Sequence, residues 1–206
     1  MLTFNADRHE YRWNKKVVPS VTGILGAFRR VMLGDRYYYV NTMTGDVIGA
    51  MTMEQAGDRG TAVHKAAPLV LAGELDWDAL DPALVVPCRH LEIWQRDMKP
   101  EIIAIEKPMY SEKYGYAGTP DIICRISRKL MVCDIKTGDL GTVGQQTAAY
   151  AELYKETTGY RGKIERYALD LSATTGSYKF IHLTNPHDLD FFRARHFQYN
   201  YLREKR

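Results

Sequence analysis

Asp121 precedes Asp134 and Lys136 by 13 and 15 positions. The acids and the lysine flank two apolar, β-leaning runs, Ile122-Ile123-Cys124-Arg125-Ile126 and Leu130-Met131-Val132-Cys133. A short polar link, Ser127-Arg128-Lys129, joins the runs, a pattern that predicts a β-hairpin. Alternate side chains on a strand share a face, so Asp134 and Lys136 point the same way. With a two-residue turn at Arg128-Lys129, Ile123 pairs with Asp134 and Asp121 with Lys136, and the three charges cluster. A three-residue turn would send Asp121 to the opposite face. Two carboxylates are hard oxygen ligands for Mg²⁺ or Mn²⁺, and an ammonium beside them can orient water or stabilise a phosphoryl oxyanion. An Asp-x-Lys taken alone is more often a surface ion pair, because short charge patterns recur by chance.

Other residues fit the same chemistry. Gly60-Thr61-Ala62-Val63-His64 places an imidazole on a predicted helix, with small residues before it that would permit close backbone approach. Glu106 lies on the apolar run before the hairpin, where a charge needs a partner. Gln146 and Tyr150 are four apart and share a helix face. Arg59, Lys107, Lys113, Arg125 and the pair Arg29-Arg30 are phosphate-contact candidates. Tyr11, Trp13 and Lys15-Lys16 mix rings with cations, as single-strand grooves do. Taken alone, His64 reads first as an ordinary core or surface histidine and each single cation as a solvated surface charge; ordinary packing explains the Gln146–Tyr150 pair and the ring–cation set equally well.

The elements that must carry these residues are predicted as follows. Residues 3–18 form a small hairpin turning near Asn14-Lys15-Lys16, and Ser20 caps a short helix from Val21 to about Phe28. Within 29–50, Tyr37-Tyr38-Tyr39 is strand-like and Gly34, Gly45 and Gly49 mark turns. A helix spans about 53–72 with a kink at Pro68, and another spans about 79–98, interrupted near Pro87. Glu101 to Tyr110 reads as one strand before the hairpin. Thr142 to Thr158 reads as a helix closed by Gly159. Strands at Lys163–Leu171 and Tyr178–Leu183 are joined by a turn at Ser172–Ser177. A final helix starts at Asn185-Pro186 and ends near Arg203. This order predicts an α/β domain, a central mixed sheet flanked by helices.

The 206 residues predict a single domain, with 1–50 an N-terminal hairpin and connecting extension and 51–206 the core. A net charge of +3 permits an anionic partner without demanding one. Three cysteines without CxxC spacing argue against a disulfide framework, a zinc site or an iron–sulfur cluster. The start, Met1-Leu2-Thr3-Phe4-Asn5, lacks the features of a signal peptide, and no run is long enough to span a membrane. The expected location is cytoplasmic. No phosphate-binding Gly-x-x-x-x-Gly-Lys loop is present, so no nucleotide cofactor is expected.

In order, Gly60 to His64, Glu106, Gly118 to Asp121, Asp134 to Lys136 and Gln146 to Tyr150 resemble the RecB-like branch of the PD-(D/E)XK nuclease superfamily. Val18-Pro19-Ser20-Val21-Thr22 is similar to the N-terminal segment of stand-alone phage members of that branch. The resemblance implies a restriction-endonuclease-like core and one or two Mg²⁺ or Mn²⁺ ions on His64, Asp121, Asp134 and the Ile135 carbonyl. It implies Lys136 as the catalytic lysine, with Glu106 completing the acidic set, and Gln146, Tyr150, Arg59 and Ser20 facing DNA. The implied activity is a phosphodiester hydrolase, exonuclease before endonuclease, acting on DNA ends in recombination, repair or end processing. Its expected partners are DNA, a single-strand-annealing or recombination protein and further copies of itself. The alternatives are a structure-specific endonuclease and a catalytically silent DNA-binding module.

Overall fold

The computed structural model describes residues 1–5, 10–26, 28–33, 36–41, 47–172 and 176–204. Strands β1 (Leu2–Asn5), β2 (Glu10–Trp13) and β3 (Lys16–Val18) form a small antiparallel sheet. Its β2–β3 turn sits at Asn14 and Lys15, with φ of 48° and 71°. Two successive left-handed residues are what a tight hairpin requires. Helix α1 (Val21–Leu25) follows, then a second antiparallel sheet of β4 (Phe28–Leu33), β5 (Arg36–Asn41) and β6 (Val47–Gly49). The expected turns at Gly34 and Gly45 lie outside the described residues.

Helices α2 (Ala50–Ala72) and α3 (Pro82–Met98) come next. Both run through their internal prolines, Pro68 and Pro87, where the sequence predicts a kink and an interruption. Asp81 caps α3 by accepting the Ala83 N–H, with Pro82 at the first helical position. Strand β7 (Glu101–Ile105) ends sooner than expected, and a separate ribbon, β8 (Met109–Ser111) with β9 (Tyr116–Gly118), follows it. The break falls at Glu106, whose φ is 46°. The left-handed region is uncommon for such a side chain, and Pro108 two residues later has no N–H to continue a ladder.

The hairpin β10 (Ile122–Ile126) and β11 (Lys129–Lys136) leads to α4 (Val143–Thr158), β12 (Glu165–Asp170), β13 (Lys179–His182) and α5 (Asp188–Glu204). Much of the expected Ser172–Ser177 turn lies outside the described residues. The five-stranded sheet has the order β13-β12-β11-β10-β7, with β11 and β12 parallel and the other neighbours antiparallel. It is the mixed, helix-flanked α/β sheet that the element order predicts. Among the described residues no helix is long and apolar enough to cross a membrane.

The hairpin register corrects the expectation. Ile126 pairs with Lys129, so the turn is Ser127-Arg128, one residue earlier, and both turn residues have positive φ. The register therefore slides by two, an even number, and no side chain changes face. Ile122 pairs with Cys133. Continuing that ladder sets Asp121 across from Asp134 rather than Lys136.

Alternation along these strands divides the core. Ile122, Cys124, Cys133 and Ile135 pack with Val63, Leu91 and Trp94 of α2 and α3. Ile123, Leu130 and Val132 pack with Ile24, Leu153 and Phe192 of α1, α4 and α5. By the same parity Asp121, Asp134 and Lys136 belong to the α4 face. Arg166 fixes α4 against α5: it donates to the Gly144 carbonyl and to Asp188, each at 2.8 Å, and to the Asn185 carbonyl at 2.9 Å.

On α5, His196 is buried against Tyr116 and Phe192, and its Nε2 accepts from Asn200 at 3.0 Å. Burial lowers its pKa below 6.5. The unfolded chain therefore takes up this proton first, and stability falls as pH drops below about 6.5. Thermal melts from pH 7.5 to 5 are expected to show wild type losing more than His196→Gln does. Parallel curves would refute this.

Candidate active site

Three elements converge at one end of the central sheet. Helix α2 brings His64, the kink after β7 brings Glu106, and the approach to β10 brings Asp121. One ligand atom from each lies within 4.8 Å of the others. His64 Nδ1 is 3.2 Å from Glu106 Oε1 and 3.3 Å from Asp121 Oδ1. The second Asp121 oxygen accepts the Ile135 N–H at 2.6 Å. The Glu106 N–H donates to the Asp121 carbonyl at 2.9 Å, which ties the kink to the strand beside it.

Asp134 and Lys136 lie next to this group on β11. Lys136 Nζ is 2.5 Å from Asp134 Oδ2 and donates to Gln146 Oε1 at 3.4 Å. Gln146 in turn donates to the Tyr150 hydroxyl at 3.0 Å. Asp134 is fully buried, and neither of its oxygens receives an aligned hydrogen bond from the described residues. The lysine contact is thus one of charge rather than of hydrogen-bond geometry. A buried carboxylate is costly unless it is paired, and Lys136 is the cation that pairs it.

The electrostatics follow from burial and crowding. Burial raises the Asp134 pKa to about 6, with Asp121 adding to the rise and Lys136 opposing it. Burial likewise raises Glu106, against its bond to His64. Burial disfavours charge on His64, but the Asp121 carboxylate and its hydrogen bond, with Glu106 and Asp134, push its pKa up to about 11. Lys136 also loses by burial, yet the charges of Asp134 and Asp121 hold its pKa above the ordinary value. Three acids thus share two cationic side chains in a partly dehydrated site. The mixed nitrogen and oxygen donors of His64, Glu106 and Asp121 suit Mn²⁺ and Mg²⁺. Their spread is close to the ~4 Å between opposite ligands of an ion with ~2.1 Å bonds.

The group opens into a cavity of about 480 Å³, which Phe4, Thr22, Lys65, Pro68 and Thr119 also line. A second cavity of about 430 Å³, beside Trp13 and Tyr110, holds none of the clustered residues. Of the residues singled out from the sequence, His64, Glu106, Asp121, Asp134, Lys136, Gln146 and Tyr150 come together. Ile135 is buried in the core against α2 and α3, with its N–H on Asp121. Arg59 instead donates to the Thr137 carbonyl at 3.1 Å and borders a different cavity. Ser20 caps α1 by accepting the Gly23 N–H at 2.9 Å, while its neighbour Thr22 lines the cleft. Pro68 was legible as a cleft residue, one turn after His64 on the same helix face. Phe4 carried no local signal, being brought in from a separate sheet.

Glycine has a clear steric reason at 118. A Cβ there would lie 2.6 Å from Tyr150 Cε1 and 3.0 Å from Val21 Cγ2. Tyr150 is buried and cannot swing away. Gly60 differs: its Cβ would meet only Thr137 Oγ1 at 3.6 Å, an ordinary contact, so close packing does not explain that glycine. Gly118→Ala is expected to cost about 1–3 kcal/mol in urea denaturation. Gly60→Ala should cost nothing, since alanine is the better helix former.

No protein-family model matches the chain, and no curated protein matches it. Among solved structures it is similar to the crystal structure of a candidate exonuclease from Eubacterium rectale. The identity is 13%, the TM-score is 0.46, and the match covers 69% of this chain and 65% of the other. The chain thus spans just under two thirds of that protein's length.

Proposed function

We propose that this chain is a divalent-metal-dependent deoxyribonuclease of the PD-(D/E)XK kind, hydrolysing phosphodiester bonds from DNA ends. One observation carries the reading: His64, Glu106, Asp121 and Lys136, which come from four separate segments, line a single cleft, with the buried Asp134 directly behind Lys136. His64, Glu106, Asp121 and Asp134 would hold Mg²⁺ or Mn²⁺, which when bound supplies a water of lowered pKa and charge neutralisation at phosphate. Lys136 points its ammonium into the cleft, where it orients the attacking water and stabilises the charge that builds on the phosphoryl oxygens. Gln146 holds that ammonium from the side, and Tyr150 holds Gln146. Glu106 fixes the imidazole through Nδ1.

The test uses purified protein with end-labelled linear DNA and with circular DNA, in Mg²⁺ and in Mn²⁺. Metal-dependent shortening of the linear DNA is expected, with the circle left intact. Cleavage of the circle would make the enzyme an endonuclease. No cleavage of either would reject the reading.

A further inference from the structure

The cleft has an apolar wall for which metal-assisted hydrolysis has no use. Phe4 of β1 and Pro68 of α2 line the same cavity as His64, Glu106 and Asp121. Phe4 is tied to the acids by successive links. It pairs directly with Tyr11 across β1 and β2. The two rings stack with centroids 4.4 Å apart. Tyr11 is 1% exposed, and its hydroxyl is 2.7 Å from Thr119 Oγ1, two residues before Asp121. Each link is short and mostly buried, so the ring is held at a set distance from Asp121, as a preorganised binding residue must be.

A ligand matching this cavity has a flat apolar part joined to an anionic part, which describes a nucleotide. Aromatic walls accept any base, because every base has a π-face. The cavity volume, about 480 Å³, lies in the lower half of the ~300–1,000 Å³ range of small-ligand sites. A base can enter such a space only after leaving its stack, which is cheapest where the DNA is already single-stranded. Resting on the hydrolase reading above, we infer that the Phe4–Pro68 wall receives the base beside the scissile phosphate, and that the substrate is a single-stranded or frayed DNA end of any sequence.

The test crosses protein variants with substrate variants. Wild type, Phe4→Ala and Phe4→Trp are given a single-stranded oligonucleotide, its blunt duplex, and single strands with one abasic residue at successive positions from the end. Single-turnover rates in Mn²⁺ and anisotropy binding in Ca²⁺ are both read. Loss of one stacked base is expected to cost wild type about 5- to 100-fold when the abasic residue reaches the wall. Phe4→Ala should lose as much on intact DNA and nothing further on the abasic strand, while Phe4→Trp should keep the wild-type response. The single strand should outrun the blunt duplex at least tenfold.

A Phe4→Ala loss of equal size on intact and abasic DNA would mean a merely structural role and overturn the inference. So would an indifferent Phe4→Ala, or a duplex cut as fast as the strand. If Phe4→Ala fails to fold, the wild-type abasic scan decides alone, a flat profile overturning the wall. Abasic-sensitive binding without any cleavage would remove the hydrolase reading and leave the wall. Cleavage without abasic sensitivity would do the reverse.

Discussion

Lys136→Met is expected to lower metal-dependent DNA hydrolysis by about 10²–10³-fold, the range for removing one preorganised donor from a developing oxyanion. The Lys136 side chain is 21% exposed and lines the cleft, and its ammonium lies 2.5 Å from Asp134 Oδ2. Loss of the charge leaves Asp134 buried without its counter-ion, and truncating one partner of a buried pair costs about 3–5 kcal/mol when the other stays charged. Asp134 can escape part of that cost by holding a proton, since burial already raises its pKa to about 6. The double variant Lys136→Met/Asp134→Asn removes both charges, so it should fold at least as well as the single variant and remain inactive. Single-turnover rates beside thermal melts separate the two effects. A well-folded Lys136→Met that cuts within fivefold of wild type would remove the lysine from the chemistry.

Asp134→Asn is expected to make the metal-free protein more stable and the enzyme inactive. The folded-state pKa of Asp134, about 6, exceeds its ordinary 3.8. Its contribution is therefore fully present below about pH 3.8 and is lost as pH rises through about 6. At pH 8 the ionised, buried carboxylate is a liability that asparagine lacks. The difference is worth about 1–3 kcal/mol, or about 2–12 °C in Tm for a chain of this size. The gain should shrink as pH falls toward 5, where wild type protonates. Mn²⁺ should then invert the order. An ion bound only by the folded state adds about 2.7 kcal/mol at a hundredfold excess over its Kd, and asparagine gives up much of that. Melts in EDTA and in Mn²⁺ at pH 8 measure both. An Asp134→Asn protein that melts below wild type in EDTA, or gains as much from Mn²⁺, would show that the carboxylate is not a strained metal ligand.

The two predictions have one cause. The site gathers acids closer together than folding alone would favour, and Glu106 is held in a left-handed backbone conformation worth about 1–3 kcal/mol of strain. Such local costs are typical of sites built to bind something.

Much of the site could be read along the chain because its parts sit on regular elements. Strand periodicity alone put Asp134 and Lys136 on one face, and helix periodicity put Gln146 beside Tyr150. The hairpin was legible, but its turn was not: Ser127-Arg128 adopts the left-handed pair without a glycine or asparagine to announce it. The prediction of clustering survived because the register slid by two rather than one. Glu106 was expected on a continuous strand, and only the structure showed the kink that delivers its carboxylate to His64. Arg59 and Ser20 are suitable residue types, yet one holds the Thr137 carbonyl and the other an N-terminal helix turn.

The amino-acid order by itself determined the element types, the mixed sheet between helices and the face that Asp134 shares with Lys136, because these depend on periods of 2 and 3.6 residues that any local segment carries. Tertiary structure alone decided that His64 joins Glu106 and Asp121, that Asp134 is sealed from water, and that Phe4 walls the cleft. Those outcomes depend on how separate elements pack, and packing is set by the shapes of surfaces far apart in the chain.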